Sequence, residues 1–369
     1  MNLREPTEVQ RAALGAALLP AESAVPAFRR LQALTNNLDR TDAGTFRMLP
    51  VVYRNLKDAG LDEGELGHLK SVYRQSWYRN RLAIAAGLRA IKVLRDAGLE
   101  PLALKGLGLI ATVYPEPALR PMLDVDLLVD PANFDRAVHA LLGAGWEPTR
   151  GSVRDFLRRA AVFHAMPLVG VDGVELDLHR AMLEERVHPD VDRALRARSV
   201  HARIGPESVQ TLSREDHLIH ACVHGTRWDW VPAIRWVADV AWLLKEPGAI
   251  DWDYIVHEAR RRQLGLVLFS SLELGAQYSS AIPDDVLRRL RELPQPRLTR
   301  VDFHAQNASS EFWRGGRILT RYAHMTASRG PLRQVFDFPT YLEWIWELER
   351  PRDVPLDGAR RVWARVRER

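Results

Sequence analysis

The chain has 369 residues, 46% hydrophobic and 27% charged, with 52 Lys and Arg against 47 Asp and Glu. That is the make-up of a globular protein long enough for two or three substructures, and a net charge of +5 is too modest for this length to mark a nucleic-acid binder by itself. A single cysteine, Cys222, excludes an internal disulfide framework and a cysteine-rich zinc site and suits a reducing compartment.

The opening MNLREPTEVQRAALGAALLPAESA has an apolar patch, but Glu5 and Glu8 precede it and it is short for a signal segment. No apolar run reaches the ~18 residues that span a bilayer, so the expectation is a cytoplasmic protein without a membrane partner. Up to about residue 98 the pattern is helical: Leu31, Leu34 and Leu38, then Leu82, Ile84, Ala85, Leu88, Ile91 and Leu94, recur mostly three and four apart. Gly98 ends the last of these helices. Tyr73, Trp77 and Tyr78 read as core rather than as a pocket, and this first region, 1–98, carries no reactive constellation.

Residues 101–130, PLALKGLGLIATVYPEPALRPMLDVDLLVD, break their apolar runs with charges. Leu102 to Leu104 read as a strand, Lys105-Gly106 as a turn, and Leu107 to Tyr114 as a helix that Pro115 stops. Pro115, Pro117 and Pro121 punctuate a loop, and LDVDLLV follows as a second strand. Its period of two puts Asp124 and Asp126 on one face and Val125, Leu127 and Val129 on the other. Adjacent carboxylates repel unless a cation lies between them, and a divalent metal is the usual solution. The other D-x-D sequences, Asp190 to Asp192 and Asp251 to Asp253, sit at polar helix starts where aspartate suits the dipole. A salt-bridged strand end is the plain alternative for Asp124 and Asp126.

Asp130 and Pro131 open a helix striped by Phe134, Ala137, Val138, Leu141 and Leu142. Right-handed crossovers would set the two strands side by side with both helices on one face. After a helix over 154–163, HAMPLVGVDGVELDLHR reads as two strands about Asp172-Gly173. In the second, Glu175, Asp177 and His179 share a face. They form either a solvated edge or the third carboxylate of a metal site with its neighbours.

Beyond His201 the chain is helical again. Ser213 and Asp216 cap a helix with Leu218, Ile219, Cys222 and Val223 on one side and His217, His220 and His224 on the other. His220 and His224 have the spacing of a helical metal pair without a third ligand in view; the wall of an acceptor pocket is the preferred reading. The next helix, opening at Pro232, is apolar nearly all round. Within it Arg235 and Asp239 lie four apart, as an ion pair or as groups that orient a substrate. Trp228, Trp230, Trp236, Trp242 and Trp252 crowd this region as helical core. Leu342, Ile345, Trp346 and Leu348 are expected to pack back on the body, and the arginine-rich end around Val362, Trp363 and Val366 reads as a solvated helix, like the basic clusters at 260–262 and 288–300.

LALKG, RPMLDVDLLV and VELDLH, in this order and at these separations, resemble the DNA-polymerase-β-like nucleotidyltransferase superfamily and, more narrowly, the bacterial group of uncharacterised nucleotidyltransferases. The resemblance covers about residues 85 to 180, and LSREDHLIHACVHG and AIRWVADVAWLL match the group's helical continuation. It implies an α/β (α+β) palm with a mixed sheet at 99–205, embedded in helical regions at 1–98 and 206–369. It also implies that Asp124, Asp126 and Asp177 hold two Mg2+ or Mn2+ ions and carry catalysis, with Asp177 helping to deprotonate the acceptor. Lys105 and Gly106 stand where the wider superfamily has glycine and serine, and with Arg120 they are the expected nucleotide contacts. Glu175 and His179 are expected to orient the acceptor or support the metal ligands. The implied activity is transfer of a nucleoside monophosphate, from ATP by preference, to a small-molecule or peptide acceptor. A glycosyltransferase using D-x-D would need a nucleotide-binding α/β half before residue 100, and an inactive palm serving as a binding module is the third reading.

Overall fold

The structure is a computed structural model and describes residues 5–160, 162–183, 189–226, 233–246, 248, 250–307, 313–326, 329–348, 351–355, 357–358 and 360. Trp228, Trp230, Pro232 and the arginine-rich end at 361–369 lie outside them. Among the described residues the regular elements of the first region are helices: α1 (Glu8–Leu18), α2 (Ala21–Leu34), α3 (Ala43–Phe46), α4 (Leu49–Asp58) and the long α5 (Gly67–Asp96). No strand precedes Leu102 among the described residues, which removes the α/β half that a D-x-D glycosyltransferase would need.

The central region runs β1 (Leu102–Ala103), α6 (Lys105–Thr112), β2 (Asp124–Leu128), α7 (Phe134–Gly143), β3 (Glu147–Pro148), α8 (Val153–Ala160), β4 (Ala165–Val169), β5 (Glu175–His179), α9 (Pro189–Ala197), β6 (Val200–Ile204) and β7 (Glu207–Thr211). These strands form one mixed seven-stranded sheet in the order β3-β4-β5-β2-β1-β7-β6. The pairs β2–β5 and β1–β7 are parallel, and the remaining neighbours antiparallel. β1 and β2 are adjacent as expected, yet antiparallel, with Leu102 opposite Leu128. The link through α6 and the proline loop returns the chain to the same end of the sheet, so the right-handed crossover rule does not govern it. Gly205, at φ 60°, turns the β6–β7 hairpin rather than ending the sheet, which continues to Thr211.

Eight further helices follow: α10 (Arg214–Gly225), α11 (Arg235–Leu243), α12 (Trp252–Arg261), α13 (Gly265–Gly275), α14 (Asp284–Arg291), α15 (Arg297–Asn307), α16 (Trp313–Met325) and α17 (Pro331–Ile345). Ser213 caps α10 by accepting from the Asp216 amide, and Asp251 caps α12, as their sequence positions suggest. The sheet contributes to two cores. One joins α1 to α4 with α10 to α14. The other joins the second half of α5, the palm strands, α7 and α8 with Tyr322, Met325, Tyr341 and Leu342. Leu342 is buried and Trp346 and Leu348 pack against that core, whereas Ile345 is exposed. No helix is long and apolar enough to cross a membrane among the described residues.

α5 departs from its expected stripe. Ala83, Ile84, Ala86, Gly87, Ala90, Ile91 and Leu94 are buried, while Leu82 and Ala85 are exposed. Small residues win the inner face because β2 comes close: a Cβ on Gly87 would sit 3.0 Å from both Leu107 and Val125 side chains. Earlier in α5 the buried face is polar. Ser76 Oγ donates to Ala118 O at 2.7 Å, and Asn80 donates to Arg120 O at 2.8 Å while accepting from the Met122 amide at 2.9 Å. These bonds satisfy carbonyl and amide groups of the proline loop that no strand partner reaches. They also fix the approach to Asp124. Trp77 and Tyr78 therefore point outward, 46% and 61% exposed, which corrects the core reading of that aromatic group.

Candidate metal centre and adjoining cavity

β2 and β5 run parallel in register, with Asp124 opposite Glu175, Asp126 opposite Asp177 and Leu128 opposite His179. Val125, Leu127, Leu176 and Leu178 are buried in the core, so alternation turns the polar residues of both strands to the other face. Ligand atoms of Asp126, Asp177 and His179 all lie within 4.8 Å of one another. Asp126 and His179 are buried and Asp177 is half-buried. His179 Nε2 donates to Asp126 Oδ1 at 2.9 Å, and Lys105 Nζ donates to the same oxygen at 2.5 Å.

Burial alone would raise both carboxyls. For Asp126 that effect is more than offset, first by the charge of Lys105 and then by His179, which hold it well below the usual carboxylate range. For Asp177 the charges of His179 and Lys105 do not make up the difference. Burial first, and then the negative charge of Asp126, push it from 3.8 up to about 6. The donor set thus contains two facing carboxylates, one of them short of positive charge, and an imidazole whose buried Nδ1 has no hydrogen-bond partner. A divalent cation fits that chemistry.

Asp124 is half-buried at the start of β2 and near enough to raise Asp177 further, but it lies outside the compact set, where His179 stands instead. Glu175 is exposed at the far end of the pairing. Two of the three expected aspartates, Asp126 and Asp177, thus share a compact set with His179, and Asp124 stands at its edge. The register puts Asp177 beside Asp126, and His179 joins them by turning its ring onto Asp126 Oδ1.

Lys105 opens α6 with φ 42°, a left-handed backbone that glycine adopts freely and lysine rarely. Gly106 and Gly108 are both sterically required. A Cβ on Gly106 would lie 2.4 Å from Met122 Cγ, and one on Gly108 would lie 2.3 Å from Thr211 Oγ1 and 2.8 Å from His217 Cε1.

Lys105 also lines a cavity of about 550 Å³ between α3, α6, α10 and α11. Arg120, His220, His224, Arg235 and Asp239 line it too, so six candidate residues far apart in sequence meet in one place. Their pairings differ from expectation. Asp239 accepts from Arg120 Nε at 2.7 Å and Nη2 at 2.9 Å, and from the Tyr114 hydroxyl at 2.7 Å. Arg235 instead donates to Pro121 O at 2.5 Å. The i, i+4 pair within α11 is thus superseded by a buried fork from the proline loop, because bidentate guanidinium geometry satisfies both carboxylate oxygens. His220 and His224 have ring centroids 5.6 Å apart and belong to the cavity wall rather than to the metal-ligand group. Sequence reading missed Arg47 and His217 in that wall. Arg47 lies in a region without a motif, and His217 was grouped with its helix neighbours.

The model of a family described as uncharacterised nucleotidyltransferase matches residues 43–279. The chain belongs to this family. The match spans α3 to α13 and so takes in the nucleotidyltransferase palm, the donor set and every cavity residue named above. Among solved structures, an antigenic nucleotidyltransferase-like protein from Paracoccidioides brasiliensis is similar over 59% of this chain and 94% of its own, with 13% identity and a TM-score of 0.35. No curated protein matches the chain.

Proposed function

We propose that this nucleotidyltransferase transfers a nucleoside monophosphate, from ATP by preference, to a hydroxyl or phosphate of a small-molecule or peptide acceptor, releasing pyrophosphate. The observation that carries the reading is the pairing of Asp126 with Asp177 across parallel strands, with His179 completing a donor set inside 4.8 Å. Asp126, Asp177 and His179 would hold Mg2+ or Mn2+, with Asp124 available at the edge for a second ion. When bound, the ions supply positive charge to the triphosphate and the attacking oxygen.

The chain's own groups do the rest. Lys105 and His179 keep Asp126 ionised and fixed in position. The amino-terminal end of α6, opened by Lys105 and Gly106, offers amide donors and a positive dipole end to phosphate oxygens. Asp177 would accept the proton from the acceptor as its oxygen attacks the α-phosphorus and the bond to pyrophosphate breaks. Arg120 acts through Asp239, holding the loop before β2, rather than as a free phosphate contact.

Pyrophosphate release from ATP and Mn2+, measured across a panel of small hydroxyl and phosphate acceptors with wild type and Asp177→Asn, tests the proposal. Acceptor-dependent release by wild type, lost in the variant, is expected. A folded protein that binds ATP equally with and without metal and releases no pyrophosphate would instead be a nucleotide-binding module.

A further inference from the structure

The cavity beside Lys105 has an unbalanced charge. Two carboxylates line it, and both are committed elsewhere. Asp42 accepts from the Thr45 amide, the Thr45 hydroxyl and the Gln10 side chain as the cap of α3. Asp239 is taken up by Arg120 and Tyr114. The guanidinium of Arg47, at the end of α3, has no hydrogen-bond or ion-pair partner among the described residues, and that of Arg235 has only the Pro121 carbonyl. The two are close enough to repel one another, and burial, Arg120 and Arg47 together lower Arg235 to about 9, despite Asp239 and Asp124. Arg235 remains charged at neutral pH. Two guanidinium groups facing one small cavity, neither of them ion-paired to a carboxylate, are the mark of an anion site.

A second feature shapes the ligand. Thr211 Oγ1 donates its only hydrogen to Ala103 O at 2.6 Å, so at its 3.1 Å contact with His217 Nε2 the threonine oxygen accepts and the imidazole donates. Burial lowers His217 to about 3 and keeps it neutral. Its proton is therefore on Nε2, and Nδ1 is an acceptor. That nitrogen is buried without a partner, in a side chain 2% exposed that lines the cavity. Leu109, Ile234 and Trp236 supply an apolar wall, and the volume suits a small organic molecule. Asp126, Asp177 and His179 are not among the lining residues, so the cavity adjoins the metal centre through Lys105 without containing it.

Resting on the transferase reading above, we propose that this cavity is the acceptor site. Its ligand is a small molecule carrying an oxyanion, held by Arg47 and Arg235, and a hydroxyl or amine that donates to His217 Nδ1. Carboxylate and phosphate share this chemistry.

The test is calorimetric titration of the full chain with glycerol 3-phosphate, with glycerate and with uncharged glycerol. Each is run with and without a saturating non-hydrolysable ATP analogue and Mn2+. Saturable binding of at least one anionic probe, retained beside the nucleotide analogue and absent for glycerol, is expected. Whichever of the two binds more tightly identifies phosphate or carboxylate as the preferred group. Arg47→Gln, which removes no structural bond, should weaken binding about tenfold or more, the value of a charge-assisted contact. No saturable binding of either anion, equal binding by Arg47→Gln, or displacement by the ATP analogue, which would assign the cavity to the nucleotide, overturns the proposal. Asp126→Asn separates the two readings, because it should abolish binding of the metal-nucleotide pair and spare the anionic probe. Probe binding by a wild type that never binds nucleotide would remove the transferase reading and leave an anion site.

Discussion

Replacing Asp177 by asparagine should stabilise the metal-free protein while abolishing its response to metal. In the folded state burial and Asp126 raise the Asp177 carboxyl from 3.8 to about 6. Two pKa units correspond to about 3 kcal/mol, which is a ceiling because Asp126 relaxes with its partner, so roughly 1 to 3 kcal/mol is expected. The sign follows from proton uptake. A carboxyl with a raised folded pKa binds its proton more tightly when folded, so stability falls as pH rises from the unfolded value through about 6 and stays reduced above it. Asparagine never ionises and escapes this cost. Urea unfolding followed by tryptophan fluorescence at about pH 7.5 should show Asp177→Asn more stable than wild type in chelator, with the gap closing below about pH 4. Mn2+ at a hundredfold excess over its dissociation constant should then add about 2.7 kcal/mol to wild type and nothing to the variant. A variant less stable than wild type in chelator, or one that responds equally to Mn2+, would refute the reasoning.

Asp239→Asn breaks the buried fork with Arg120 and leaves a guanidinium without its counter-charge, so chemical denaturation should report a loss of about 3 to 5 kcal/mol. Gly108→Ala puts a methyl group against Thr211, Ala103 and His217; thermal unfolding should reveal a cost of about 1 to 3 kcal/mol from overpacking, and wild-type stability would contradict the geometry. Lys105→Gly should be about 1 kcal/mol more stable than Lys105→Ala, the reverse of their usual order in helices, since both lose the contact with Asp126 and only glycine relieves φ 42°. Apparent Mn2+ affinity, measured by titration across pH, should weaken as pH falls through about 6, where protons compete for Asp177; an affinity flat from pH 5 to about 8 would disconnect that carboxylate from the ion.

Much of the palm was legible because period-two alternation is a local signal. It assigned the faces of β2 and β5 and brought Asp126, Asp177 and His179 into consideration before any pairing was known. The register of β2 against β5, which sets Asp126 beside Asp177, was not legible, nor was the turn of the His179 ring onto Asp126. The exchange of partners around Asp239 was hidden for a similar reason: an i, i+4 spacing is visible in sequence, whereas Arg120 reaches Asp239 only through tertiary packing. Arg47 carried no signal at all, being one arginine among many until α3 packs beside α11. Trp77 and Tyr78 misled in the other direction, since bulk suggested core while Ser76 and Asn80 claimed the inner face of α5.

The central claim is that Asp126, Asp177 and His179 hold a divalent ion together with a nucleoside triphosphate. Calorimetric titration of ATP into the protein with and without Mn2+, on wild type and on Asp126→Asn/Asp177→Asn, tests it most directly. Metal-dependent ATP binding by wild type, lost in a folded double variant, is the predicted result. ATP binding that ignores Mn2+, or that survives both substitutions, would contradict it.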